Sequence, residues 1–204
     1  MYIYIHITCI NNYEEVIENM MKKIKESDLY NKVKEIRISL IGDNFVELDN
    51  KMKIIYTGKL GEYENHTINR IDVEDENEPI LYLHSKGVTR PDNIFIKDWT
   101  ELITYYLIEQ WKICIEGLKY YDTVGVNLCI EPSFHYSGNM WWTTMKHLKN
   151  IGKLDYQNYL DSEMYICKKG KHLCLWNSKV NHYHQRYLPE NYKGLFEPYE
   201  INSN

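Results

Sequence analysis

Residues 2 to 41 read as strand, helix and strand, and no other feature restricts the possible folds of this chain so much. Tyr2 to Ile7 alternates and is rich in β-branched residues, whereas Val16, Ile17, Met20, Met21 and Ile24 recur at helical spacing. Asn12 with Glu15 three residues later suits a helix start. Val33 to Ile41 alternates again and ends at Gly42-Asp43, and Met52 to Tyr56 is a third short strand before a polar segment from Gly58 to Asn69. Strands joined by helices pair in parallel, so the expectation is an α/β, Rossmann-like domain with a mostly parallel central sheet flanked by helices.

The acidic stretch Asp72 to Glu78 is followed by Pro79 and the run Ile80-Leu81-Tyr82-Leu83, short and apolar enough to be a buried central strand. It ends in His84-Ser85-Lys86-Gly87. A long helix follows, with Trp99, Leu102, Ile103, Tyr106, Leu107, Trp111, Cys114 and Leu118 on one wide apolar face and Asp98 with Glu101 at its cap. Thr123 to Leu128 and Met140 to Thr143 read as further strands, the second after the turn-prone Ser137-Gly138-Asn139. The tail from His172 onward is rich in Trp, His and Tyr. No repeat, linker or break in composition divides the 204 residues. One domain is expected, with 1–120 and 121–170 as its two halves and 171–204 as an arm or lid.

A formal net charge of -5 argues against a protein that lives by non-specific contact with nucleic acid. No apolar run approaches the roughly 20 residues of a membrane span, and the first residues lack a signal-peptide pattern, so an intracellular, cytoplasmic protein is expected. The five cysteines are odd in number and scattered among apolar neighbours, as reduced core thiols are. The 19 Tyr against four Phe fit a cleft for sugars or nucleotides.

Four groups of residues could carry chemistry. In open α/β sheets ligands bind at the carboxyl ends of strands, which is where His84, Ser85 and Lys86 stand and, on the first strand, Ile7 and Thr8. An ammonium, a hydroxyl and the freedom of Gly87 suit a phosphate. His135-Tyr136-Ser137-Gly138-Asn139-Met140-Trp141-Trp142 sets directional hydrogen-bonding groups beside flat apolar faces, as hydroxyl-rich rings require. Strand geometry turns at most one of Trp141 and Trp142 toward a cleft. Asp161-Ser162-Glu163 offers a general base, with Asp98 as either a helix cap or a further acid. His182 and His184 would face one way on a strand, and could hold a metal with His84.

The order Ile80 to Val88, Asp98-Trp99, Val124-Gly125-Val126-Asn127, then His135 to Trp142 resembles a group of small bacterial and large-DNA-virus glycosyltransferases of the GT-A type, over roughly residues 1 to 167. The resemblance implies a nucleotide-sugar donor, a glycan or other hydroxyl acceptor, and Glu163 at the place where many inverting members carry their catalytic carboxylate. It also implies an Asp-x-Asp motif holding a divalent cation, Mn²⁺ or Mg²⁺, but here His84-Ser85-Lys86 stands instead. Either Lys86 neutralises the leaving diphosphate, or His84 and a tail histidine hold the cation. A non-catalytic nucleotide- or carbohydrate-binding module, and a metal-dependent hydrolase built on His84, His135, His182 and His184, are the alternatives.

Overall fold

Ile3, Ile5 and Ile7 face one hydrophobic core and Tyr4 faces a second, all four at 0% exposure, so the first strand is covered on both sides. The computed structural model describes residues 1–42 and 46–203; Asp43, where the second strand was expected to end, lies outside them. In chain order the elements are β1 (Tyr2–Thr8), α1 (Tyr13–Glu26), α2 (Leu29–Lys32), β2 (Glu35–Ile41), β3 (Met52–Gly58), α3 (Asn65–Ile68), β4 (Pro79–His84) and α4 (Ile94–Thr104). After a π-helical turn (Tyr105–Glu109) come α5 (Trp111–Gly117), β5 (Thr123–Gly125), β6 (Leu128–Cys129), β7 (His135–Tyr136), β8 (Trp141–Thr144), α6 (Met145–Ile151), α7 (Asp161–Tyr165), β9 (Gly170–Cys174) and β10 (Tyr199–Ser203).

Among the described residues eight strands form one sheet in the order β10-β9-β5-β8-β4-β1-β2-β3, and β6 pairs with β7 separately. Only β8 and β10 run against the rest, so the sheet is mostly parallel, as expected. Residues of α1, α4 and α5 join the core on one face with Leu81, Leu83 and Trp142; residues of α3, α6 and α7 join the core on the other with Ile80, Tyr82 and Trp141. Full burial of one large apolar side chain contributes about 1.5–3 kcal/mol, which is why the four-residue run Ile80 to Leu83 belongs at the centre of the sheet. From β1 the chain moves outward through β2 to β3 and then returns to β4 on the other side of β1. The carboxyl ends of β1 and β4 therefore flank a topological switch point, where such sheets open a crevice.

Four local readings change. The long helix is interrupted by the π turn, and its N-cap is Asn93, which accepts from Phe95 N and Ile96 N at 3.0 and 3.2 Å, rather than Asp98. The strand expected to reach Leu128 stops at Gly125, because Asn127 turns the chain at φ 51° into the β6–β7 pair. The polar segment after Gly58 contains α3. The arm places β9 and β10 in the sheet itself, so only the stretch between them crosses the outside of the domain. Cys9, Cys114, Cys167 and Cys174 are buried and Cys129 partly so, and none of them is in a disulfide among the described residues. No helix among the described residues is long and apolar enough to cross a membrane.

Candidate functional site

A crevice of about 440 Å³ opens at the switch point, and Thr8, His84, Ser85 and Lys86 all line it. Ile7 does not: its side chain points into the core at 0% exposure, so the end of β1 is represented by Thr8 and His6. Two bonds staple the strand ends together, Thr8 N–H to Ser85 Oγ and Ser85 N–H to His6 O, each 2.9 Å. Ser85 uses a lone pair in the first of them and keeps its own proton to donate.

His84 Nε2 lies 2.8 Å from Gly138 O, and because a carbonyl only accepts, Nε2 carries the hydrogen. On the other side Nδ1 faces Glu64 Oε1 at 3.7 Å. Gly138 N–H in turn donates to Glu163 Oε1 at 2.8 Å. The tight turn that presents Gly138 is closed by Asn139 N–H to Tyr136 O at 2.9 Å, with Gly138 at φ 98°. A Cβ there would lie 2.7 Å from Ile103 Cδ1 and 3.4 Å from Lys86 Cε, so only glycine fits. The sequence motif around residue 138 and the Lys86 motif thus meet in space.

Lys86 extends past Gly138 until its Nζ is 3.6 Å from the centre of the Trp99 ring. Burial lowers its pKa to about 8, against the opposing charges of Glu163 and Glu64 and with the help of Arg90. Arg90, also on the crevice wall, lies 5.5 Å from the Tyr183 ring centre. Beneath Thr8, the buried His6 bonds Thr67 Oγ1 at 2.8 Å, and desolvation drops its pKa to about 4.

Glu64 was not singled out by the sequence. Nothing distinguishes it locally from other acids in a polar segment; its place depends on α3 packing beside the carboxyl end of β1. It accepts Tyr82 OH at 2.8 Å and Asn139 Nδ2, both on Oε2. Burial pushes its carboxyl up, but His84, His6, the Tyr82 hydroxyl and Lys86 outweigh that and hold it below the usual range. Glu163 is half-buried beside Lys86, and among the described residues the Gly138 N–H is the one hydrogen bond its carboxylate accepts. Asp161 is committed elsewhere: it accepts Gln157 N and Asn158 N, each at 2.7 Å, and these bonds lower its pKa.

Several expected ligand-binding residues have structural duties instead. Trp141 and Trp142 are both at 0% exposure, on opposite faces of the sheet, with their indole N–H groups bonded to Asn139 Oδ1 (3.0 Å) and Leu107 O (2.8 Å). Neither presents a face to the crevice; the aromatic rings that line it are Tyr63, Tyr159 and Tyr183. Asn139 is spent on Trp141 and Glu64. His135 is buried on β7 with Nδ1 on Ser133 O at 2.8 Å, and Ser137 donates its N–H to Asn127 O at 3.0 Å. Asp98 is buried within α4, where it receives both Arg186 and Tyr187 N–H, tying down the stretch between β9 and β10.

His84, His182 and His184 do not form one donor set. Residues 182–184 are a turn rather than a strand, so His182 is buried while His184 is exposed. His182 Nε2 is engaged by Ser178 Oγ at 2.7 Å and Asn127 Nδ2 at 3.2 Å, and its ring stacks on Trp99 at 5.2 Å. Among the described residues no three His, Cys, Asp or Glu side chains are grouped to hold a metal ion. No protein-family model matches the chain, and no curated protein matches it.

Proposed function

We propose that the chain is a GT-A-like glycosyltransferase that moves a sugar from a nucleotide-sugar donor to a hydroxyl acceptor. The observation that carries this reading is Lys86: an ammonium at the carboxyl end of a central strand, at the sheet's switch point, with a free-sided carboxylate, Glu163, beside it. In this reading the diphosphate lies against Lys86, Arg90 and the Ser85 hydroxyl. The acceptor oxygen attacks the anomeric carbon while its proton passes to Glu163. The bond from that carbon to the diphosphate oxygen breaks, and the nucleoside diphosphate leaves with the electron pair, its charge opposed by Lys86. Glu163 suits the proton transfer better than Glu64, whose oxygens are already occupied by Tyr82, Asn139 and the His84 ring.

The test is a thermal-shift screen of nucleoside diphosphates and nucleotide sugars, with and without Mn²⁺, followed by a transfer assay. A ligand at a hundredfold excess over Kd stabilises the native state by about 2.7 kcal/mol. Stabilisation with turnover is the expected result. Stabilisation without turnover would leave a nucleotide-binding module, and no stabilisation under any condition would end the reading.

A further inference from the structure

We infer that the mouth of the crevice is a stacking platform for neutral sugar rings, built by Tyr63 and Tyr159, and that the acceptor of the proposed transfer is an uncharged oligosaccharide. The inference rests on the transferase reading for the word acceptor, but the platform itself stands on geometry. Tyr63 and Tyr159 are 44% and 66% exposed, yet they pack edge to face at 5.6 Å, and Tyr156 braces Tyr63 at 5.7 Å. Water-facing rings held in fixed mutual orientation keep a flat apolar face available with little entropy left to lose on binding.

Charge decides what that face accepts. Tyr159 is directed over the crevice, where partial burial of its hydroxyl end, then the charges of Glu64 and Glu163, raise its pKa. A ligand stacked there sits near both carboxylates, whose charge repels a phosphate or uronate, and Glu163, with one side free, accepts hydrogen bonds from neutral hydroxyls. Of the cationic groups in the lining, Lys86 is turned onto the Trp99 ring and Arg90 toward Tyr183, so both are held by rings other than Tyr63 and Tyr159. The crevice is therefore divided between an anion-accepting wall and an anion-repelling mouth. A pyranose, with a C–H face for the ring and hydroxyls at its edge, matches the mouth on both counts.

The experiment is calorimetric titration of the full chain and of Tyr159→Ala, Tyr63→Ala and Tyr159→Phe. The probes are malto-, cello- and chitopentaose, penta-galacturonate, and uridine and guanosine diphosphate titrated separately. Both tyrosines are exposed, so the variants retain the fold, which circular dichroism checks. The platform predicts that at least one neutral pentasaccharide binds wild type and that either alanine variant weakens it about tenfold. Tyr159→Phe should stay near wild type, and nucleoside diphosphate affinity should not change. Failure of wild type to bind any neutral pentasaccharide overturns the proposal. So does equal or tighter binding of penta-galacturonate, or a loss in Tyr159→Ala confined to nucleoside diphosphates, which would give the rings to a nucleobase. Tyrosine-dependent sugar binding with no diphosphate binding would keep the platform and remove the transferase reading.

Discussion

Glu163 and His84 are attached to the two ends of one residue: Gly138 donates its N–H to the carboxylate at 2.8 Å and accepts the imidazole N–H on its carbonyl at 2.8 Å. A glycine in a left-handed turn thereby sets the spacing between the acid and the end of the central strand. Gly138→Ala should lose both placements, because the added methyl meets Ile103 and an L residue resists φ 98°. We predict a loss of about 2–4 kcal/mol in urea unfolding. A variant as stable as wild type would show that the turn relaxes freely and does not set that spacing.

Glu163→Gln keeps an acceptor oxygen for Gly138 N–H and removes the proton acceptor. Transfer should fall about 10² to 10⁴-fold while nucleoside diphosphate affinity holds. Asp161→Asn, two residues away, disturbs only the 157–161 turn and should keep most activity. Equal losses in the two variants would assign the effect to the loop rather than to a base.

Lys86 is charged below its pKa of about 8 and neutral above it. Nucleoside diphosphate binding should therefore weaken as pH rises from about 7 to about 9.5, and Lys86→Met should bind weakly and lose that pH dependence. Titration calorimetry at a series of pH values decides it: a flat wild-type profile would separate the ammonium from the ligand.

His6, His172 and His182 are at most 5% exposed, and burial, the dominant influence on each, lowers their pKa to about 4 from 6.5. Their folded pKa values lie below the unfolded one, so between about pH 6.5 and pH 4 the unfolded chain binds more protons than the native one. Stability is complete above that window and falls through it, by up to about 1.4 kcal/mol per group per pH unit. Urea midpoints should drop over this range, and the His172→Gln variant should show a shallower drop. A midpoint independent of pH there would contradict the buried neutral state.

Asp98 holds Arg186 and the Tyr187 N–H from inside α4. Asp98→Ala should free the stretch between β9 and β10 and expose it to limited proteolysis while the sheet persists. Cleavage no faster than in wild type would mean that the His182 stack on Trp99 suffices to hold it.

The strands β1, β2 and β4 were legible in the sequence because their signals are local. Alternation and β-branching in Tyr2 to Ile7, and the bare apolar run Ile80 to Leu83, each have one low-energy way to be buried, and a parallel sheet follows from the helix between the first two strands. The strand-end position of Ser85 and Lys86 was legible for the same reason. What only the tertiary structure decided is which distant side chains meet them. Glu64 comes from a polar segment with no periodicity, and it matters because α3 packs against the end of β1. At most one of Trp141 and Trp142 was expected to face a cleft, and neither does: β8 runs antiparallel between β4 and β5, and a strand covered on both faces hides both of its indoles. His182 and His184 parted because their segment forms a turn rather than a strand, and side-chain direction follows backbone conformation, not sequence spacing.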